Sequence, residues 1–351
     1  MNKFWSKEVA ALSPYIPGEQ PQEQAYIKLN TNENPYPPSP AVAGLLRDFE
    51  YQALRLYPDP ESQHLREALA DYHGVQASQV FPGNGSDEVL AHAFQAFFRQ
   101  PKPLLFADIS YSFYPVYCAL YQIDYRRIPL DSEFRLDCRD YLIDNGGIVI
   151  TNPNAPTGIA LELESIRALL QANADSVVLI DEAYVDFGAE SASSLIAEFD
   201  NLVVVQTFSK SRSLAGLRLG YALAQESLIE ALQRVKNSFN SYPINRISSE
   251  IALTALADHD YFLQSRDRVI ATRERLGREL QQLGFHVYPS CSNFLLVKHK
   301  HSSAKSLYLQ LKSEGILLRY FDSPRIDNCL RISIGTDAEC DALLAALGKL
   351  I

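Results

Sequence analysis

Between residues 79 and 224 the chain alternates short apolar runs with turn-rich loops and amphipathic stretches, and this alternation limits the fold more than any other feature. The runs at 104–107, 147–151, 177–180 and 203–205 are continuous rather than alternating, which predicts strands buried on both faces. Strand, loop and helix in repeated order give an α/β fold: a mostly parallel sheet flanked by helices. Ligands of such sheets sit at the carboxyl ends of the strands. Those ends carry PGNGSDE (82–88), TNPNAPTG (151–158), Asp181 and Lys210.

On either side the pattern differs. After Glu226 come long helices, then expected strands at 284–288, 293–298, 315–320 and within CLRISIG (329–335), which predicts a smaller α+β domain. The first forty residues are rich in proline, from Pro14 through Pro21 to Pro40, and read as an extended arm rather than a packed element. Within it, the asparagines of KLNTNENPYPP (28–38) read by composition as Asx turns. The expected division is therefore an arm over 1–40 that packs near the small domain and the partner subunit, a large domain over 41–240 and a small domain over 241–351.

A length of 351 residues with 47% hydrophobic and 21% charged residues leaves ample material for a large core. The net charge of −10 argues against nucleic acid or an anionic membrane as the main partner, so an anionic substrate would need local arginines. Five cysteines without a C-x-x-C pair, and no basic-then-apolar leader, fit a reducing cytoplasm. No apolar run approaches the roughly 18 residues that span a bilayer. The seven histidines are scattered, which argues against a metal site.

The chemistry gathers in VVVQTFSKSRSLAGLRLGY (203–221). Lys210 follows a buried strand and is surrounded by Thr207, Ser209, Ser211 and Ser213 rather than by other charges. A lysine drawn partly out of water can attack a carbonyl to form a Schiff base. Hydroxyls and Arg218, eight residues on, are the groups that bind a phosphate. Together they suggest an aldehyde that carries a phosphate, such as pyridoxal 5'-phosphate. PGNGSDE adds a glycine-rich turn that opens a helix near Ser86, where free N–H groups can hold a phosphate, although Ser86 can equally be a simple N-cap. Asp181, at a buried strand end, suits the ring nitrogen of such a cofactor. A carboxylate about 4 Å from a pyridinium favours the protonated ring by roughly 4 kcal/mol at an effective dielectric of ~20, before desolvation is subtracted.

These residues, with DEAYVDF (181–187), resemble the fold-type I pyridoxal-phosphate aminotransferases. KLNTNENPYPP, RLYPDP (55–60) and the late pair Arg319 and Arg331 resemble most closely the histidinol-phosphate subfamily, over essentially the whole chain. The resemblance implies a homodimer with shared active sites, and amino transfer between histidinol phosphate and 2-oxoglutarate, with glutamate as the other product. It implies that Lys210 bonds the cofactor's aldehyde, that Asp181 pairs with its ring nitrogen and that Tyr184 bonds its phenolic oxygen. Ser86, Asp87, Thr207, Ser209 and Arg218 would hold the phosphate, with Tyr57 reaching that of the neighbouring subunit. Tyr111 would stack on the ring, Tyr15 and Asn32 would close over the substrate, and Arg319 and Arg331 would hold its anionic groups. The family loop reads N-N-P-T-G where this chain has Ala155, so either Asn154 substitutes from the adjacent position or Tyr184 serves the phenolic oxygen alone. An aromatic amino-acid aminotransferase, a threonine-phosphate decarboxylase and a catalytically silent cofactor-binding regulatory module are the alternatives.

Overall fold

The computed structural model describes residues 3–20 and 26–351; Pro21, counted above in the arm, lies outside the described residues. Seven strands form one sheet in the order Val80–Gly83, Gly220–Ala224, Leu202–Thr207, Val178–Asp181, Gly147–Thr151, Leu104–Ala107 and Tyr125–Ile128. All run in one direction except Gly220–Ala224, which is antiparallel to both neighbours. The first six are buried throughout, as continuous apolar runs require once helices cover both faces. The edge strand Tyr125–Ile128 instead exposes Arg126 and Arg127, charges that discourage pairing with another sheet.

Alternation along the strands builds two cores. Ile180 and Val204 pack under helices Gln63–His73 and Leu163–Ala172, through Leu65, Leu69, Ile166 and Leu169. Leu179, Val203 and Val205 face the opposite layer, where helix Ser86–Phe97 contributes Val89, Leu90 and Phe94. Each such aliphatic side chain contributes about 1.5–3 kcal/mol by leaving water. The register sets Thr151 beside Asp181 and Asp181 beside Val205, so the strands deliver their loops to one edge at a common level.

The carboxyl-terminal part has its own antiparallel sheet, in the order Arg319–Tyr320, Leu330–Ser333, Phe294–His299 and Phe285–Val287. The single strand expected at 315–320 is divided. Ile316–Leu317 pairs in parallel with Ile27–Lys28 of the arm, whereas Arg319–Tyr320 joins the four-stranded sheet. Helix Arg246–Ala257 lies past the expected boundary at 241, yet Ile251, Ala252 and Ala255 pack into the core of the large sheet. The change of packing partner comes at the next helix, His259–Gln282, whose Val269, Leu276 and Leu280 join the small unit's core.

The arm is not wholly extended. It holds a short helix, Lys7–Ala11, and helix Pro40–Asp48 begins at its end, capped by the Ser39 side chain. Residues 27–32 are packed rather than extended in solvent: Leu29, Asn30 and Asn32 are at most 2% exposed. Asn32 sits in the left-handed region at φ 58°, a conformation costly for a non-glycine residue. Its environment holds it there. Its backbone N–H donates to Ser333 Oγ at 2.8 Å, its Oδ1 accepts from the same hydroxyl, and its carbonyl accepts from Asn293 Nδ2. Among the described residues no helix is long and apolar enough to cross a membrane, and all five cysteines are free.

Candidate active site

The carboxyl edge of the large sheet, the arm and the small sheet together enclose a cavity of about 470 Å³. Lys210, half-buried, enters from the loop after strand Leu202–Thr207, and its Nζ donates to the Thr31 carbonyl at 3.3 Å. That ammonium lies 5.7 Å from the centre of the Tyr184 ring. Asn32 Nδ2 donates to the Tyr184 hydroxyl at 3.0 Å, which leaves the phenolic hydrogen free for another acceptor.

Asp181 forms the floor. One carboxylate oxygen, Oδ2, accepts from the Tyr114 hydroxyl at 2.7 Å; the other, Oδ1, is buried with no partner. A buried carboxylate oxygen left bare is costly unless a ligand meets it. Burial pushes the carboxyl up to about 6, against the bonds from Tyr114 and the Ala183 N–H, which pull it down. A donor in the cavity would complete the set, and a cationic one would in addition favour the charged carboxylate.

Across the cavity is an anion cradle. Helix Ser86–Phe97 starts after Gly85 with no side-chain cap, so Ser86 is the first helical residue rather than the N-cap considered above. The first-turn N–H groups therefore remain unclaimed by a side chain and point along the positive end of the helix dipole. Arg218 reaches the same turn and donates to Asp87 Oδ2 at 3.1 Å. This approach depends on glycine: Gly85 has φ +86°, and a Cβ there would lie 2.6 Å from Arg218 Nη2. Gly220 is equally tight, since its Cβ would lie 2.3 Å from the Ser86 nitrogen. Thr207 and Ser209 line the opposite side, joined by a 2.9 Å bond from the Thr207 hydroxyl to Ser209 Oγ. The Tyr111 ring forms one wall, fixed by its hydroxyl's 3.0 Å bond to Asp87 Oδ1.

The mouth is basic. Arg319 and Arg331 are direct partners across the antiparallel pair, so both project from one face of the small sheet. Among the described residues neither makes an ion pair with a carboxylate, and the buried Nε of Arg331 has no partner. Burial, and then the neighbouring charge of Arg319, lower the pKa of Arg331. Tyr15 covers this end and packs on Phe113 at 4.8 Å.

Two residues singled out from the sequence are elsewhere. Asn154 turns away from the cavity: its amide donates to the Ile109 carbonyl and to Thr157 Oγ1, both at 3.0 Å, and it borders a separate pocket with Leu130 and Phe134. Holding the loop together consumes the amide that was one of the two alternatives for the missing asparagine, and Ala155 faces the cavity instead. Tyr57 is 79% exposed and stacked on Tyr242 at 4.8 Å, outside its own chain's cavity. Sequence reasoning missed Ser110, Thr151 and Tyr114, which stand around Asp181. The available signal was the position of Tyr114 as the first residue of a helix, three residues after Tyr111 in the loop that leads into it.

The residues present fit pyridoxal phosphate by chemistry as well as by position: an amine for the aldehyde, an unmatched carboxylate oxygen for the ring nitrogen, and an N–H cradle for the phosphate. Among the described residues no group of His, Cys, Asp or Glu could hold a metal ion. The family profile "Aminotransferase class I and II" matches residues 24–347. Histidinol-phosphate aminotransferase from Chromohalobacter salexigens is 58% identical over 347 residues, 99% of each chain. Histidinol-phosphate aminotransferase 1 from Hydrogenovibrio crunogenus is 53% identical and covers 100% of this chain and 99% of its own. The solved histidinol-phosphate aminotransferase from Sinorhizobium meliloti, in complex with pyridoxal-5'-phosphate, matches 99% of both chains with a TM-score of 0.88 at 26% identity. By sequence over nearly its whole length and by fold, this chain belongs to the class I and II aminotransferases, enzymes that use pyridoxal phosphate to move an amino group.

Proposed function

We propose that the enzyme transfers the amino group of L-histidinol phosphate to 2-oxoglutarate, reversibly, as a step in histidine biosynthesis. The observation that carries the substrate assignment is the pair Arg319 and Arg331, opposed across one strand pair at the cavity mouth with no carboxylate between them. Two like charges set side by side destabilise a sheet, and an incoming phosphate dianion meets both with charge-assisted bonds. The two relatives described above, at 58% and 53% identity, carry the corresponding name. In the second half-reaction the same arginines receive a carboxylate of the oxo acid.

Bound pyridoxal phosphate supplies an electron sink for the carbon that bears the amine. The protein does the rest. The Ser86 and Asp87 N–H groups, Arg218, Thr207 and Ser209 would hold the phosphate, and Tyr111 would cover the ring. Asp181, through its unpartnered Oδ1, would pair with the ring nitrogen and favour its protonated form. Tyr184, whose oxygen already accepts from Asn32, gives its hydrogen to the phenolic oxygen alone, since Ala155 offers no side-chain donor. Lys210 would hold the aldehyde, and its free amine would take the proton from the substrate's amine-bearing carbon as general base. Tyr15 and Asn32 close over the substrate and keep water from it.

The working unit is a homodimer in the reducing cytoplasm, in which Tyr57 serves the phosphate site of the neighbouring subunit. Its exposure and its distance from its own cavity support this reading. Arg319→Ala tests the substrate assignment. It should raise KM for histidinol phosphate by roughly 30- to 1,000-fold, the 2–4 kcal/mol of an unmatched buried phosphate contact, and change KM for an uncharged aromatic amine far less. Equal losses on both amines would refute the phosphate role.

A further inference from the structure

Asp181 is buried, and burial by itself favours the protonated, neutral carboxyl. What opposes this is a run of hydroxyls. The Tyr114 hydroxyl donates to Asp181 Oδ2 at 2.7 Å and lies 2.7 Å from Thr151 Oγ1, which lies 3.1 Å from Ser110 Oγ. A phenol has a single hydrogen. Because Tyr114 spends it on the carboxylate, Thr151 must donate to Tyr114, and Ser110 must donate to Thr151. The result is a one-way chain that starts at Ser110 and Thr151 in the cavity wall and ends inside the core on Oδ2.

The ring of Tyr114 cannot swing out of this chain. It is fully buried, stacked on Phe94 at 5.9 Å and set edge-on against Phe106 at 5.8 Å and Tyr111 at 5.6 Å. Phenylalanine would fill the same core, so the hydroxyl is there for its polar partners. Burial, and then the charge of Asp181, hold the phenol far above its ordinary pKa, so it remains a donor throughout the working pH range.

We propose that Tyr114 is a positioning residue for the transamination: through the chain Ser110–Thr151–Tyr114 it fixes the Asp181 carboxylate with Oδ2 engaged and Oδ1 bare toward the cavity. Hydrogen bonds to the charged form of a carboxylate make it a stronger acid. In an Asp181 weakened as an acid, the proton shared with the cofactor's ring nitrogen would move toward oxygen, and the ring would lose the positive charge that draws electrons. The other groups that Asp181 feels are the Ala183 N–H, which acts with Tyr114, and the carboxylate of Asp87, which acts against it; Tyr117 lies within the same field.

This inference rests on the reading of Asp181 as the partner of the ring nitrogen, and two measurements on the full chain keep the two claims apart. In the loaded enzyme, the chemical shift of a ¹⁵N-labelled ring nitrogen reports whether it is protonated; in the unloaded enzyme, infrared difference titration reports the Asp181 carboxyl, with Asp181→Asn identifying its band. Tyr114→Phe should raise the Asp181 midpoint by about one to two pK units, the share of one hydrogen bond to a charged group, and move the ring nitrogen toward its neutral shift. Thr151→Val, which removes only the donor to Tyr114, should give a smaller shift in the same direction, and Ser110→Ala a smaller one still. A role confined to packing would not order the three midpoints by distance from the carboxylate. An unmoved midpoint in Tyr114→Phe overturns the inference; if that variant does not fold, an unmoved midpoint in Thr151→Val does so. A ring nitrogen indifferent to Asp181→Asn would instead overturn the assignment of Asp181 itself.

Discussion

Asp181→Asn removes one charge with almost no change in volume, and it should cost the enzyme activity while stabilising the unloaded protein at neutral pH. Burial drives the Asp181 carboxyl from an ordinary 3.8 up to about 6 in the folded state. A folded-state value above the unfolded one means that the native protein holds the proton more tightly. The associated stability is then fully present below about pH 4 and is lost as the pH rises through about 6. The difference of roughly two pK units corresponds to about 3 kcal/mol. Asparagine has nothing to ionise; its carbonyl can accept from Tyr114 while its amide faces the cavity. Urea unfolding of the unloaded proteins across this range should show the variant gaining up to about 3 kcal/mol on wild type between pH 4 and pH 7. Glu182, also buried and raised to about 7, titrates in both proteins, so the difference between the two curves isolates Asp181. In the loaded enzyme, turnover should fall by several orders of magnitude, because a neutral ring draws electrons poorly. Parallel stability curves, or turnover within about tenfold (1.4 kcal/mol) of wild type, would refute the reasoning.

Lys210→Ala should abolish both transamination and the borohydride-trappable bond to the cofactor; normal turnover in that variant would remove Lys210 from its role. Mixing Lys210→Ala subunits with inactive Tyr57→Phe subunits should restore about a quarter of full activity by random pairing, since one site of each heterodimer is intact. No recovery from two folded, dimeric parents would show that the sites are not shared.

The sheet was legible because its strands are buried on both faces. The runs at Leu104–Ala107 and Gly147–Thr151 were readable to the residue, since continuous apolar stretches bounded by turn formers have few other uses. That Lys210 and Asp181 would come together at the strand ends was legible for a related reason: a lysine among hydroxyls and an aspartate after an apolar run are poorly placed for a solvated surface, and both line the cavity. What remained hidden depended on partners distant in sequence. Asn32 looked like a turn residue because nothing local reveals Ser333 or Asn293. The single strand expected at 315–320 was divided because its halves pair with different partners, the arm and Leu330–Ser333. The choice between Asn154 and Tyr184 alone stayed open because the direction of a side chain in a loop follows from which backbone groups need it, and here the Ile109 carbonyl takes the Asn154 amide. Tyr114 was hidden among its neighbours Tyr111, Phe113 and Tyr117, since composition does not tell a hydroxyl that meets a carboxylate from one that merely ends a core ring.

The substrate itself gives the most direct test. The enzyme loaded with pyridoxal phosphate, mixed in a single half-reaction with L-histidinol phosphate, histidinol, phenylalanine or threonine phosphate, reports amino transfer as the loss of the aldehyde form's absorbance. The account predicts the highest kcat/KM for histidinol phosphate, with histidinol lower by roughly 30-fold or more for want of the dianion that Arg319 and Arg331 receive. Preference for phenylalanine, or release of carbon dioxide from threonine phosphate in place of amino transfer, would contradict it.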